Sequence, residues 1–341
     1  MSGWKLPGYV IEDLLGFGGS GDVWRGRVAA SGEPVALKRI KVGDPVRLRS
    51  VHTEAALLIA LDHPHLIRLH EMVPTDDAVV LVIDLAQGGT LAELLEARGV
   101  VTPGEAVTAL APIGAALAYA HNAGVVHGDV TPSNILFTEA GMPLLADLGV
   151  ARLLDDDAAV QSTPAFIDPA VAAGCVPGPQ SDVFMLGAVT FRALTGRSIW
   201  PGDTAEEVLA AAVAGELDDL IGPFAAAEIP EPVRAVVSRA LSIEPAHRGT
   251  AAEFALDLRH AATPVGVELH AGRQRTGVVA AGPAVAHRDP PSALTGDSPG
   301  SGRPPFDRPR LGSPGAAPAP VLTHTVRPRP RPTPARRGHR A

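Results

Sequence analysis

The sequence predicts an α+β fold in two parts, a strand-rich first lobe and a larger helical second lobe, followed by a tail outside the fold. Three observations carry this reading. Apolar residues recur in short strand-like runs over the first 85 residues, and at helical spacing over most of residues 90–262. Strands and helices segregated along the chain are the mark of an α+β fold rather than of alternating βαβ units. The composition then breaks near residue 263. Residues 264–341 hold twelve Arg against four acids (Glu268, Asp289, Asp297 and Asp307), a charge of +8. The whole chain carries −8, so residues 1–263 carry −16 (−8 less +8).

In order, strands are expected over residues 9–15, 23–28 and 35–40, the last two separated by a Ser31-Gly32 turn. A helix is expected over 51–61, then strands over 66–72 and 79–85. Gly88-Gly89 ends the strand pattern, and helices follow over 90–98 and 103–122. Residues 125–147 read as short strands and loops, and 181–195, 205–214, 232–241 and 250–262 as helices. Strand-like runs thus dominate residues 8–85 and helical ones residues 86–263. Residues 264–341, rich in Pro, Gly, Ala and Arg and poor in apolar side chains, are expected to be disordered, with a polyproline II bias over R-P-R-P-R-P-T-P from Arg327.

The chain has 341 residues, enough for such a domain plus a tail. Hydrophobic residues make up 46% but aromatics only 4%, so Ala, Val and Leu must fill the core. Cys175 is the single cysteine, which excludes an intrachain disulfide and a thiolate zinc cluster. No signal-peptide pattern opens the chain, and its most apolar stretch, residues 106–120, contains Pro112 and is too short to span a bilayer. A cytoplasmic protein is the expectation. His63, His65 and His70 cluster in sequence but lack the Cys or acidic partners of a zinc site.

Four motifs carry the chemistry. Gly16, Gly18 and Gly21 form a glycine-rich turn between two strands, where backbone N–H groups can approach phosphates. Lys38 ends V-A-L-K on the next strand. Residues 127–134 read H-G-D-V-T-P-S-N, placing Asp129 and Asn134 five apart, and Asp147-Leu148-Gly149 follows thirteen residues after Asn134. Each motif alone is weak, but the four in this order are not. Over roughly residues 8–263 the chain resembles the eukaryotic-type Ser/Thr protein kinases of bacteria.

That resemblance implies ATP as phosphoryl donor with Mg²⁺, or Mn²⁺ in its place. It implies Val23 and Ala36 against the adenine, Ile83 at the back of the pocket, and a hinge from Asp84 to Ala86. It pairs Lys38 with the α- and β-phosphates and with Glu54 on the following helix. Asp129 matches the base that takes the substrate hydroxyl proton, Asn134 and Asp147 the metal ligands, and His127 a brace for the loop. Thr163 matches a residue that bonds the catalytic Asp, and Asp182 one that anchors the catalytic-loop backbone.

The chain departs from the family at four places. Thr131 replaces a Lys that places positive charge on the transferring phosphoryl group. Gly128 replaces an Arg that pairs with a phosphorylated activation segment. Ala170 replaces the Glu that pairs with an Arg late in the domain, here Arg248, leaving Asp168 as its candidate acceptor. An acidic run, residues 155–157, sits in the short segment between Asp147 and Asp168. Three functions are therefore carried forward: a kinase acting on a protein hydroxyl, a pseudokinase that regulates a protein partner, and a small-molecule phosphotransferase. The last shares the H-G-D…N wording and dispenses with the Lys. The basic tail can attract anionic surfaces without implying a specific nucleic acid, or can serve as a spacer.

Overall fold

The computed structural model describes residues 4–18, 21–41, 58–75, 78–148 and 163–269. The first lobe is a five-stranded antiparallel sheet in the order β1-β2-β3-β5-β4. Its strands are β1 (Tyr9–Gly18), β2 (Gly21–Val28), β3 (Pro34–Lys41), β4 (Leu69–Pro74) and β5 (Ala78–Asp84). The period-two alternation sorts the two faces. Val35, Leu37, Val80 and Val82 pack outward under Leu6, Trp4 and Trp24. Val23, Ala36, Val79, Leu81 and Ile83 face the other way and join the main core. Lys38, two residues after Ala36, therefore lies on the inner face, and it is buried.

The second lobe is helical: α1 (Leu91–Arg98), α2 (Pro103–Asn122), α3 (Pro169–Ala172), α4 (Pro179–Thr195), α5 (Ala205–Ala214), α6 (Ile221–Ala226), α7 (Glu231–Ala240) and α8 (Ala251–Ala261). Thr90, Thr102, Thr204 and Thr250 each open a helix by a reciprocal bond with the Glu three residues on. A two-stranded ribbon, β6 (Ile135–Phe137) with β7 (Pro143–Leu145), lies beside α2. The expected helix over 51–61 falls mostly outside the described residues; Leu58 and Ile59 at its end are helical. No described helix is long and apolar enough to cross a membrane.

Scarce aromatics force close helix contacts. Gly114 of α2 meets Ala255 of α8, and Gly187 of α4 meets Ala240 of α7. A Cβ on Gly187 would stand 2.8 Å from the Ala240 Cβ, closer than real Cβ contacts. Gly187→Val is therefore expected to over-pack this interface and cost about 1–3 kcal/mol. Thermal denaturation should show a midpoint lower by roughly 2–4 °C for each kcal/mol lost.

Candidate active site

The loop that carries Asp129 lies between α2 and β6, and Asp182 fixes its backbone. This carboxylate, in the first turn of α4, is fully buried. Its Oδ2 accepts from the His127 N–H at 2.9 Å and from His121 Nε2 at 2.7 Å, and its Oδ1 from the Gly128 N–H at 2.7 Å. Gly128 has φ 76°, a left-handed conformation in which glycine is unstrained. His127 bonds the Ala146 carbonyl through Nε2 at 2.8 Å and accepts the Asp129 N–H on Nδ1 at 3.2 Å. Because a carbonyl can only accept, this pair of bonds fixes the ring tautomer. His127 thereby ties the loop to the segment that carries Asp147.

Asn134 completes the loop. Its amide donates to the Asp129 carbonyl at 2.8 Å and to Asp129 Oδ2 at 3.0 Å. The Asn134 main-chain carbonyl accepts from the Ala146 N–H at 2.8 Å, bringing Asn134 and Asp147 to the same place. Asp129 Oδ1 is buried and has no hydrogen-bond partner among the described residues. Burial raises the Asp129 carboxyl above its ordinary range; the Asp147 charge adds to this, while His127, Asn134 and Lys38 oppose it.

Lys38 Nζ sits 2.7 Å from Asp147 Oδ2, bridging the two lobes. A buried ammonium needs such a partner. Asp147 is one of only two described non-glycine residues at positive φ, 61°. Strained backbone of this kind clusters at functional sites. Glu54, the expected partner of Lys38, lies outside the described residues, as do the acidic run at 155–157 and residues 19–20 of the glycine turn.

The other expected residues fall as follows. Gly16 and Gly18 close β1 and Gly21 opens β2, with Gly16 paired to Val23 and Gly18 to Gly21. A Cβ on Gly21 would stand 2.4 Å from the Arg39 carbonyl, so only glycine fits. Val23, Ala36, Ile83 and Ala86 are buried, with Leu15 beside them in the same core. The Asp84 carboxylate turns to β4, bonding His70 Nε2 at 2.8 Å and the Arg68 N–H at 3.2 Å. Among the described residues the Ala86 N–H and carbonyl make no backbone bond, leaving a donor and an acceptor at the hinge. The hinge rests on β6, with the Gly88 N–H on the Phe137 carbonyl at 2.7 Å and the Phe137 N–H on the Gly89 carbonyl at 2.8 Å.

Thr131 is buried at the head of the short turn Pro132–Asn134, and its hydroxyl makes no capping bond. Thr163, partly exposed, opens the turn Pro164–Phe166 and is not bonded to Asp129. Of the three clustered histidines, His63 accepts the His65 N–H on Nδ1 at 3.2 Å and lies against the Tyr119 ring, His65 bonds the Pro143 carbonyl, and His70 goes to Asp84. Arg248 does find Asp168: Nη2 lies 2.9 Å from Oδ1, with both side chains buried. The guanidinium also donates to the carbonyls of Ser242, Gln180 and Ile243 and lies over the Phe184 ring. His121 is the supporting residue that sequence reasoning missed, since nothing in the last turn of a helix signals a carboxylate 61 residues away.

A strand-rich lobe and a helical lobe meeting at a Lys–Asp bridge, beside a loop that holds an Asp and an Asn, define the protein-kinase class of fold. A family model described as the protein kinase domain matches residues 9–257, and the chain belongs to that family. It is 32% identical over 287 residues to the serine/threonine-protein kinase PkaA of Streptomyces coelicolor, covering 78% of this chain and 52% of PkaA. It is 33% identical over 205 residues to the serine/threonine-protein kinase PknL of Mycobacterium tuberculosis, covering 58% of this chain and 51% of PknL. The chain thus spans about half the length of these relatives. The crystal structure of Rad53 1-466 in complex with AMP-PNP superposes with a TM-score of 0.64 at 24% identity, over 73% of this chain and 64% of that one. This likeness bears on the fold alone.

Proposed function

We propose that the chain transfers the γ-phosphate of Mg-ATP to a Ser or Thr hydroxyl of a protein, with Asp129 as the base. The observation that carries this reading is the buried Oδ1 of Asp129, which has no donor among the described residues, held in place through Oδ2 by Asn134 and flanked by the Lys38–Asp147 pair. A substrate hydroxyl is the donor that oxygen lacks. As the hydroxyl oxygen bonds to phosphorus and the bond to ADP breaks, its proton passes to Asp129. Adenine sits between Val23, Ala36 and Ile83 and bonds the free backbone groups of Ala86. Lys38 turns from Asp147 to the phosphates, and the glycine turn covers them.

Asn134 and Asp147 fit a hard divalent cation. The Asn134 amide nitrogen is spent on Asp129, which leaves its oxygen, and Asp147 keeps one oxygen clear of Lys38. Mg²⁺ bound there, or Mn²⁺, would neutralise phosphate charge. Incubation with Mg-ATP and a generic protein substrate, followed by phosphoamino-acid analysis, tests the proposal. Phosphoserine or phosphothreonine is the expected product. A nucleotide-induced thermal shift without phosphate transfer would leave a nucleotide-dependent binding module instead.

The buried Thr131 is the observation that favours this second reading, because it places no cation beside Asp129. Thr131→Lys should restore one. By analogy with losing a transition-state donor, the gain in kcat is on the order of 10²-fold, read from steady-state transfer rates. An unchanged rate would show that charge at this position is not what limits turnover.

A further inference from the structure

The last described residues, 263–269, leave α8 and lie across the start of α2. The Val265 N–H donates to the Gly104 carbonyl at 3.0 Å. The Glu268 N–H reaches Glu105 Oε1 at 3.5 Å, and its carbonyl lies 3.4 Å from Arg98 Nη1. Gly104 leaves the room this requires: a Cβ there would stand 2.6 Å from the Thr263 carbonyl and 2.6 Å from Val265 Cγ2. The anchoring carboxylate is itself firmly held. Glu105 accepts both Arg98 guanidinium nitrogens, at 2.7 and 2.8 Å, and the Thr102 N–H at 2.9 Å. Burial alone would raise its carboxyl, but these bonds outweigh it and bring it down to about 2, so it stays charged.

From there the segment runs to the ribbon under the hinge. Val267 and Leu269 pack on the main core, and the Val267 carbonyl lies 3.6 Å from where a Cβ on Gly141 would stand. Gly141 sits in the β6–β7 turn, closed by its N–H on the Thr138 carbonyl at 2.9 Å. At the other side of β6, Gly88 packs so close that its Cβ would stand 2.3 Å from that same Thr138 carbonyl. One strap therefore connects the end of α8, through the β6–β7 turn, to the hinge. Its hold is light. Only one of its three bonds is of ordinary length, and Thr263, Pro264, Val265, Gly266 and Glu268 are exposed. Segments docked this lightly open locally far more readily than the domain unfolds.

We propose that residues 263–269 are a releasable brace. Docked, it stiffens the β6–β7 turn and the hinge and tightens nucleotide binding; whatever acts on the chain after Leu269 reaches the nucleotide site by freeing it. The affinity part rests on the nucleotide-site reading above.

The test uses the full chain and two variants. Gly104→Ala pushes a methyl into the strap's backbone, and Val267→Asp charges a half-buried strap residue without touching α2. Hydrogen exchange is measured without nucleotide, and AMP-PNP affinity with Mg²⁺ by calorimetry. In both variants the Val265 amide should exchange faster, the Gly141, Phe137 and Gly88 amides should follow it, and Kd should rise about threefold or more. The proposal is overturned if the Val265 amide exchanges as freely in the wild type as in an unstructured chain. It is equally overturned if the strap is freed in both variants while the turn and hinge amides keep their wild-type rates. No AMP-PNP binding by the wild type would count against the nucleotide site itself, and hinge exchange would then decide whether the brace exists.

Discussion

Asp129→Asn will abolish phosphate transfer, leave nucleotide binding nearly unchanged, and raise the melting temperature at neutral pH. The loss follows from the chemistry: an amide cannot take the proton of the attacking hydroxyl, and base catalysis of this kind is worth about 10²–10⁴-fold. Binding survives because the proposed nucleotide contacts lie elsewhere, on Val23, Ala36, Lys38 and the Ala86 backbone. The gain in stability follows from the raised carboxyl of Asp129. A carboxyl whose folded value lies above its unfolded value favours the folded state fully at low pH. That contribution is lost as pH rises through the folded value, so the ionised group opposes folding at neutral pH. Removing its charge removes the penalty. The same shift places the acid limb of the activity profile above the ordinary carboxylate range of about 4. Differential scanning calorimetry and a pH–rate profile read both effects. A variant that melts lower than wild type would contradict the burial argument.

Asp168→Ala should be the most destabilising of the single substitutions considered. It leaves the Arg248 guanidinium buried without its carboxylate, and breaking a buried pair costs about 3–5 kcal/mol. Arg248 keeps three carbonyl acceptors, which places the expected loss near the lower end, about 3 kcal/mol. At roughly 2–4 °C per kcal/mol, the melting temperature should fall by about 6–12 °C. The position of the pair gives the loss a functional side. Asp168 also caps α3, and the neighbouring Ile167 carbonyl accepts from Trp200 Nε1 at 3.2 Å, while Trp200 stacks on Phe184 under the guanidinium. Loosening Arg248 therefore loosens the segment that leads from Thr163 into α4. A melting temperature within 2 °C of wild type would show that the backbone acceptors alone hold Arg248, about 1 kcal/mol being the most such a shift allows.

Much of this architecture is legible in the sequence. The helices over 103–122 and 205–214 are expected and found with the same bounds, because Thr before and Glu within the first turn give each a firm start. The alternation in β3 and β5 places Ala36 and Lys38 on one face and Val35 and Leu37 on the other. Asp168 as the acceptor for Arg248 is legible too, since a buried arginine needs a carboxylate and Ala170 cannot supply one. What escapes is short or distant. The four-residue α3 and six-residue α6 are less than two turns long, so no apolar period can mark them. The bond from His121 to Asp182 depends on two helices meeting. The strap is hidden by composition: Pro264 and the arginines beyond it read as tail, although Val267 and Leu269, two residues apart, pack on the core.

Transfer of radiolabelled phosphate from ATP with Mg²⁺ or Mn²⁺, to the chain itself and to a generic protein substrate, is the most direct test of Asp129 as the base. Wild type and Asp129→Asn are compared at equal bound nucleotide. Label incorporated by the wild type and lost in the variant is the predicted result. Equal label in both, with nucleotide bound in both, would contradict it.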